Sequence, residues 1–257
     1  YLAAHYGDRF DFGDTAYLSM PDLTEQAFAN YVGLLEQIPL EKGVAAVHRM
    51  LRQASADSAM FAHFSELYEK YLYDPNSPLR NDELYIPYLE YVVSSDKIDE
   101  LNKLRPRAQL DMALKNRVGA RAGDITITLA TGRKVRLYNV TSEYTLLYFN
   151  NPDCSSCADI TRGLQASNLI GPILETNKMT VFMVYPDEDL EAWQAHRNDI
   201  PAGWINGYDA TQTLRTENLY DLKAIPSLYL LSSDKTVLLK DVADVPTLEN
   251  YFMSEGF

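Results

Sequence analysis

The chain has 257 residues, 46% hydrophobic and 23% charged, with a formal net charge of −13. This composition buries a real core, and the length suits one large or two ordinary domains. It argues against nucleic acid and anionic membrane surfaces as partners, because nothing supplies a basic stripe for phosphates, and no apolar run approaches the roughly 18 residues of a membrane helix.

The sequence opens at Tyr1 without a methionine, which points to a natural N-terminus cut away together with any targeting segment. From Tyr17 to about Asn116 the apolar residues recur at helical spacing. Phe28, Tyr31, Val32, Leu35 and Ile38 form one stripe, with Asp22 and Glu25 spaced as a capping pair at its start. Val44, Val47 and Leu51 predict a shorter helix. Met60, Phe61, Phe64, Leu67, Tyr68, Tyr71 and Leu72 predict a very regular one. The segment YDPNSPLRND breaks the pattern, and Asn81 or Asp82 starts a helix carrying Leu84, Tyr85, Tyr88, Leu89 and Val92. A last helical run, broken near Pro106, covers Ile98 to Leu114. The expectation is an all-α domain over residues 1–115.

After KNRVGARAGD the pattern changes. DITITL and GRKVRLYNV read as two strands joined at the turn ATG. TLLYFN and MTVFMVY are short apolar runs of the kind buried in a central sheet. Between them, residues 154–177 predict a helix carrying Ile160, Leu164 and Leu169. PSLYLLS and KTVLLKDV form a hairpin turning at SDK, and VPTLENYFMSEGF forms a closing helix. The order β-β-β-α-β-α-β-β-α means an α/β domain, a mixed sheet with helices on its faces, over residues 118–257. Residues 1–117 carry 12 Lys+Arg and 18 Asp+Glu and the remainder 11 and 18, so charge does not distinguish the halves.

The two cysteines of the chain, Cys154 and Cys157, stand where the strand TLLYFN ends and a helix begins. Three readings are open: a working dithiol, part of a metal site, or a structural pair. Two cysteines three apart in a first helical turn are close enough for a disulfide. The first faces the unpaired amides and positive end of the helix, which can lower its pKa to roughly 3.5–7.5 and make it a nucleophile. The second lies deeper and can resolve a mixed disulfide. Zinc would need two more ligands, and only His196 falls in the same half, where WQAHRND places it as a surface residue on a helix. His5, His48 and His63 lie in the helical half, His63 at a helix edge between Phe61 and Phe64. A peroxidatic Pro-x-x-x-Thr-x-x-Cys pattern fails, because Leu147 and Asn151 occupy the Pro and Thr positions. No metal or organic cofactor is expected.

From about Val118 to Phe257 the sequence resembles the thioredoxin-like superfamily, in its TlpA/ResA-like extracytoplasmic branch. VGARAGDITITLATGRKVRLYNV resembles the N-terminal hairpin of that branch, and LYDLKAIPSLYLLSSDKTVLLKD its cis-proline segment and following hairpin. The resemblance implies a thioredoxin-like fold in which Pro226 is the cis-proline facing Cys154–Cys157 and the Ile225 backbone pairs with a substrate chain. It implies thiol–disulfide exchange with protein thiols or disulfides, as a reductase fed by an upstream thiol–disulfide electron donor. HYGDRFDFGDT, KYLYDPNSPLRNDELYIPYLE and ALKNRVG resemble a helical domain of unknown function found ahead of thioredoxin-like domains in Gram-negative bacterial proteins. That likeness adds an expectation of a periplasmic or cell-envelope location through a removed secretion or lipoprotein signal.

Four positions depart from the family pattern. Asp153 stands where many relatives have Trp, and its carboxylate either opposes the Cys154 thiolate or caps the helix. Ser155 and Ser156 replace the more usual Gly-Pro pair and tune the potential. Tyr148 occupies the position of the buried acid of thioredoxin, so proton transfer at Cys157 lacks its usual helper unless Tyr148, a water or another carboxylate substitutes. These departures keep open an alternative, a redox-inactive docking module whose helical domain binds an envelope partner. A solvent-exposed Cys154 at the helix start with a cis Pro226 beside it separates the two readings; a buried Cys154, or a trans Pro226 far from it, favours the docking module.

Overall fold

The computed structural model describes residues 2–257 and divides into two compact units, Tyr1–Leu114 and Lys115–Phe257. The first unit is helical. Two 3-10 segments, Ala3–Arg9 and Thr15–Ser19, lead into α1 (Pro21–Leu35), α2 (Leu40–Ala54), α3 (Ser58–Tyr68), α4 (Asp82–Ser94) and α5 (Leu104–Ala113). Helix α1 begins with Pro21 in its first turn, where a missing N–H costs nothing. The capping pair expected at Asp22 and Glu25 does not form: the cap position is Met20, and Glu25 instead accepts from Lys70 Nζ at 2.6 Å.

Helix α2 is as long as α1, 15 residues each, not shorter as its thin apolar stripe suggested. Its buried face is made in part of Gly43, Ala46 and Ala54, small residues that a hydrophobic pattern underweights. At Gly43 the contact is close enough that an added Cβ would lie 3.1 Å from Leu84 Cδ2 of α4. Asp57 caps α3 by accepting from the Ala59 and Met60 N–H groups, and the helix runs on into a π-helical turn, Glu69–Tyr73. Asn81 caps α4. The run expected from Ile98 does not break at Pro106; residues 98–103 lie outside any helix, and Pro106 falls in the first turn of α5. Aromatic packing fills this core, with Tyr68 edge-on to Phe28 at 4.8 Å and stacked on Tyr88 at 5.1 Å. His63 is held by Thr24 Oγ1 at 2.8 Å.

The second unit runs β1 (Thr126–Leu129), β2 (Lys134–Arg136), β3 (Tyr144–Phe149), α6 (Ser155–Ala166), α7 (Ile170–Glu175), β4 (Met179–Tyr185), α8 (Leu190–His196), β5 (Ile205–Tyr208), α9 (Thr213–Thr216), β6 (Ser227–Ser232), β7 (Val237–Val242) and α10 (Val245–Ser254). The strands form one mixed sheet in the order β2-β1-β5-β4-β3-β6-β7, with β3, β4 and β5 parallel and the others antiparallel to their neighbours. Alternate residues of the central strands separate two cores. Leu146, Tyr148, Val181, Met183, Leu228 and Leu230 face the helices α6, α7 and α10. Leu147, Phe149, Phe182, Val184, Tyr229 and Leu231 face Ile127, Leu214 and Tyr220.

Three features differ from the sequence reading. The helix expected over 154–177 is split, because the Ser167 hydroxyl accepts from the Leu169 and Ile170 N–H groups and restarts the chain as α7. Strand β5 and helix α9 have no counterpart in that reading. Ile205–Tyr208 offers no apolar run, and its Gly207 is there for proximity: a Cβ would lie 2.7 Å from the Thr128 carbonyl of the paired β1.

Candidate active site

The site is built at the C-terminal end of β3, next to the point where β3 pairs in parallel with β4 and antiparallel with β6. The chain leaves the sheet at Asn150, turns through Pro152 and Asp153, and enters α6 at Ser155. Cys154 is the residue that caps α6, with its Sγ accepting the Cys157 N–H at 3.1 Å. Asp153 therefore does not cap the helix; it is exposed beside it, as are Ser155 and Ser156. Cys154 and Cys157 are joined as a disulfide with Cα atoms 5.2 Å apart. Cys154 is half-buried, whereas Cys157 is only 3% exposed and packs into the core with Ile160 and Leu164. The more accessible sulfur is thus the one at the helix N-terminus, where amide groups and the helix dipole favour negative charge.

Two further segments close on the disulfide. The Ile225–Pro226 peptide bond is cis, and the Ile225 carbonyl oxygen lies 3.7 Å from Cys154 Sγ. This segment is held on both sides. Upstream, Lys223 Nζ and Asp221 Oδ2 form an ion pair at 2.8 Å, their side chains 4% and 11% exposed. Downstream, the buried Ser227 hydroxyl donates to Asp241 Oδ1 at 2.7 Å. Asp241 itself has φ of 53° where the β6–β7 register shifts.

Beneath the cysteines, Tyr148 is fully buried and its hydroxyl donates to the Cys157 carbonyl at 2.7 Å. Burial pushes its pKa up to about 12, against a smaller lowering by the Thr161 hydroxyl. At neutral pH this phenol is a donor and takes no proton from Cys157.

The opposite wall was not legible as part of a site. A groove of about 340 Å³ opens beside the disulfide between α6 and α8, reaching Cys154 and Cys157 and lined also by Asn150, Trp193 and His196. His196 is accordingly not a plain surface residue. It is half-buried on the groove wall, one turn on from the buried Trp193, and its Nδ1 meets the Ala192 carbonyl at 3.0 Å. The i, i+3 spacing of Trp193 and His196 on α8 was the available signal. Asn150 is 7% exposed, and its Oδ1 has no hydrogen-bond partner. Among the described residues no group of three or more His, Cys, Asp or Glu is placed to hold a metal ion, and no helix is long and apolar enough to cross a membrane.

A thioredoxin-like protein from Bacteroides caccae superposes on this structure with a TM-score of 0.95 at 43% identity, over 98% of this chain and 91% of its own. The chain belongs to the thioredoxin-like family. The C-terminal domain of an uncharacterised protein from Bacteroides fragilis matches 54% of this thioredoxin-like chain and 98% of its own at 47% identity, with a TM-score of 0.52. A conserved protein of unknown function from Bacteroides fragilis matches 53% of the chain and 98% of its own at 33% identity, with a TM-score of 0.51. Residues 1–116 match the family model of a domain of unknown function, DUF5106. No curated protein matches the chain. The N-terminal all-α domain followed by a thioredoxin-like mixed sheet is therefore the architecture of this family member.

Proposed function

We propose that this thioredoxin-like protein is a thiol–disulfide oxidoreductase that works as a reductase of protein disulfides. The observation that supports this most is the setting of Cys154: an accessible sulfur capping α6, accepting the Cys157 N–H at 3.1 Å, with the Ile225 carbonyl 3.7 Å away. In the dithiol form the Cys154 thiolate attacks one sulfur of a substrate disulfide. A mixed disulfide forms, and the other substrate sulfur leaves as a thiolate. Cys157 then loses its proton and attacks Cys154 Sγ, releasing the second substrate sulfur and leaving Cys154–Cys157 oxidised. Two electrons pass to the substrate, whose sulfurs leave as thiolates and take up protons from solvent, and an upstream dithiol protein restores the pair. Ile225 and Pro226 would shape the docking groove, the Ile225 backbone pairing with the substrate chain. Asp153, Ser155, Ser156 and Tyr148 would tune the pair. No cofactor beyond the disulfide is required. The resemblance to the TlpA/ResA-like branch supports an extracytoplasmic setting, where such reductants act on secreted cysteines.

The deciding experiment is the reduction potential of the Cys154–Cys157 pair in a dithiothreitol or glutathione redox series. A value of roughly −200 to −300 mV is expected for a reductant. A value near roughly −120 mV would turn the assignment to an oxidase. Failure to form a reversible disulfide would overturn redox function and leave a docking module.

A further inference from the structure

The groove between α6 and α8 meets the disulfide on a side that neither Ile225 nor Pro226 lines. It follows one face of α6, where Cys154, Cys157, Ala158, Thr161, Arg162 and Gln165 recur at helical spacing. From Cys154 to Arg162 is eight residues, or about 12 Å along a helix rising 1.5 Å per residue. An extended peptide covers that distance in three to four residues at about 3.3 Å each. The groove is thus as long as the stretch of substrate flanking an attacked cysteine.

Its chemistry is unlike that of the chain as a whole. The protein carries −13, yet the groove wall sets Arg162 and Arg197 against a single lining carboxylate, Asp199. Arg162 also pairs with Asp159 on the exposed helix surface, an i, i+3 contact with side chains 72% and 68% exposed. Such a pair yields readily to a better-placed carboxylate, because exposed ion pairs contribute little. Asn150 stands at the head of the groove, more than nine-tenths buried, with its Oδ1 enclosed by protein and not open to a ligand.

We propose that the α6–α8 groove is a substrate subsite that selects extended polypeptide carrying a carboxylate side chain three to four residues from the target cysteine. The Arg162 and Arg197 guanidinium groups take the carboxylate. This inference rests on the exchange reaction proposed above and names the class of protein it acts on.

The test uses the full chain and disulfide-linked peptides that differ only in a Glu, Gln or Lys four residues from the cysteine. Two exposed charge pairs should favour the Glu over the Lys peptide about fivefold in kcat/KM at low salt, with the preference collapsing near 1 M salt. R162E/R197E should reverse the order. This ratio is insensitive to a folding defect, which slows both peptides alike. Equal rates for Glu and Lys, or a preference unchanged in R162E/R197E, would overturn the subsite. Affinities for the same peptides with Ser in place of Cys keep the two proposals apart. Absence of exchange with every disulfide peptide overturns the redox reading, while the Glu-to-Lys affinity ratio still decides the groove.

Discussion

Reducing the disulfide perturbs one bond, and the consequence for stability can be worked from the site. Cys154 and Cys157 are three apart in sequence, so the closed loop is short and its cross-link removes little unfolded-state entropy. Chain-entropy arithmetic for a loop of this size gives about 2 kcal/mol in favour of the oxidised form. Reduction gains something back, because a Cys154 thiolate would sit at the N-terminus of α6 with the Cys157 N–H directed at it. A charge at a helix end contributes roughly 0.3–1 kcal/mol. The oxidised protein should therefore resist unfolding by about 1 kcal/mol or slightly more. Both tryptophans, Trp193 and Trp204, lie in the unit Lys115–Phe257, so their fluorescence in urea follows this unit alone. A midpoint about 0.5 M higher for the oxidised form is expected with an m-value near 2 kcal/mol/M. The result bears on direction of electron flow, because a strong oxidant is one whose reduced form is the more stable. A reduced protein that unfolds at the same or higher urea would refute the reasoning, showing that thiolate stabilisation outweighs the loop term.

Three other outcomes are expected. Cys157→Ser should accumulate a mixed disulfide at Cys154, seen by mass spectrometry after mixing with a protein disulfide, whereas Cys154→Ser should accumulate none; trapping by both would contradict the assigned order of attack. Lys223→Met should destabilise the α/β unit by about 3–5 kcal/mol by leaving Asp221 buried without its cation, and Asp221→Leu/Lys223→Met should recover most of that loss; a single variant as stable as the parent would mean that the ion pair does not anchor the Ile225–Pro226 segment. Alkali should unfold the protein: Tyr148 is pushed from 10 to about 12 by burial, and Tyr68 and Tyr220 are raised further for the same reason. For these groups the folded state binds the proton more tightly, so the stability they contribute is intact below pH 10 and declines as pH rises through about 12. Absorbance at 295 nm should show the buried phenols ionising only with loss of circular dichroism; all 18 tyrosines titrating together near pH 10 in a folded protein would contradict their burial.

What could be read before the structure follows from which physical signals are local. Apolar period marks helices and strands, so α1, α3, α4, β3, β4, β6 and β7 announce themselves in stripes such as Met60–Leu72 or runs such as MTVFMVY. Elements defined by closeness instead of burial are silent in that signal. Helix α2 packs through Gly43 and Ala46, and β5 pairs through Gly207. The break at Ser167 depends on where one hydroxyl turns. The candidate site divides in the same way. The placing of Cys154 and Cys157 between a strand and a helix is a local fact, and the sequence carries it. The groove is made by bringing α8 against α6, which period alone does not encode, so His196 reads as solvent-facing from its own helix. Tyr148 is the sharpest case. The apolar run TLLYFN shows that it is buried but not that its hydroxyl ends on the carbonyl of Cys157, nine residues on. With an acid there, the proton lost by Cys157 would have a buried acceptor; with a phenol held near pKa 12 it does not. That proton must then leave by the groove side of Cys157, where the cavity reaches it, so Tyr148→Phe should leave the pH dependence of the resolving step unchanged while costing about 1 kcal/mol of stability for the lost hydrogen bond. A resolving step whose pH profile moved in that variant would place the phenol in the proton path and overturn this account.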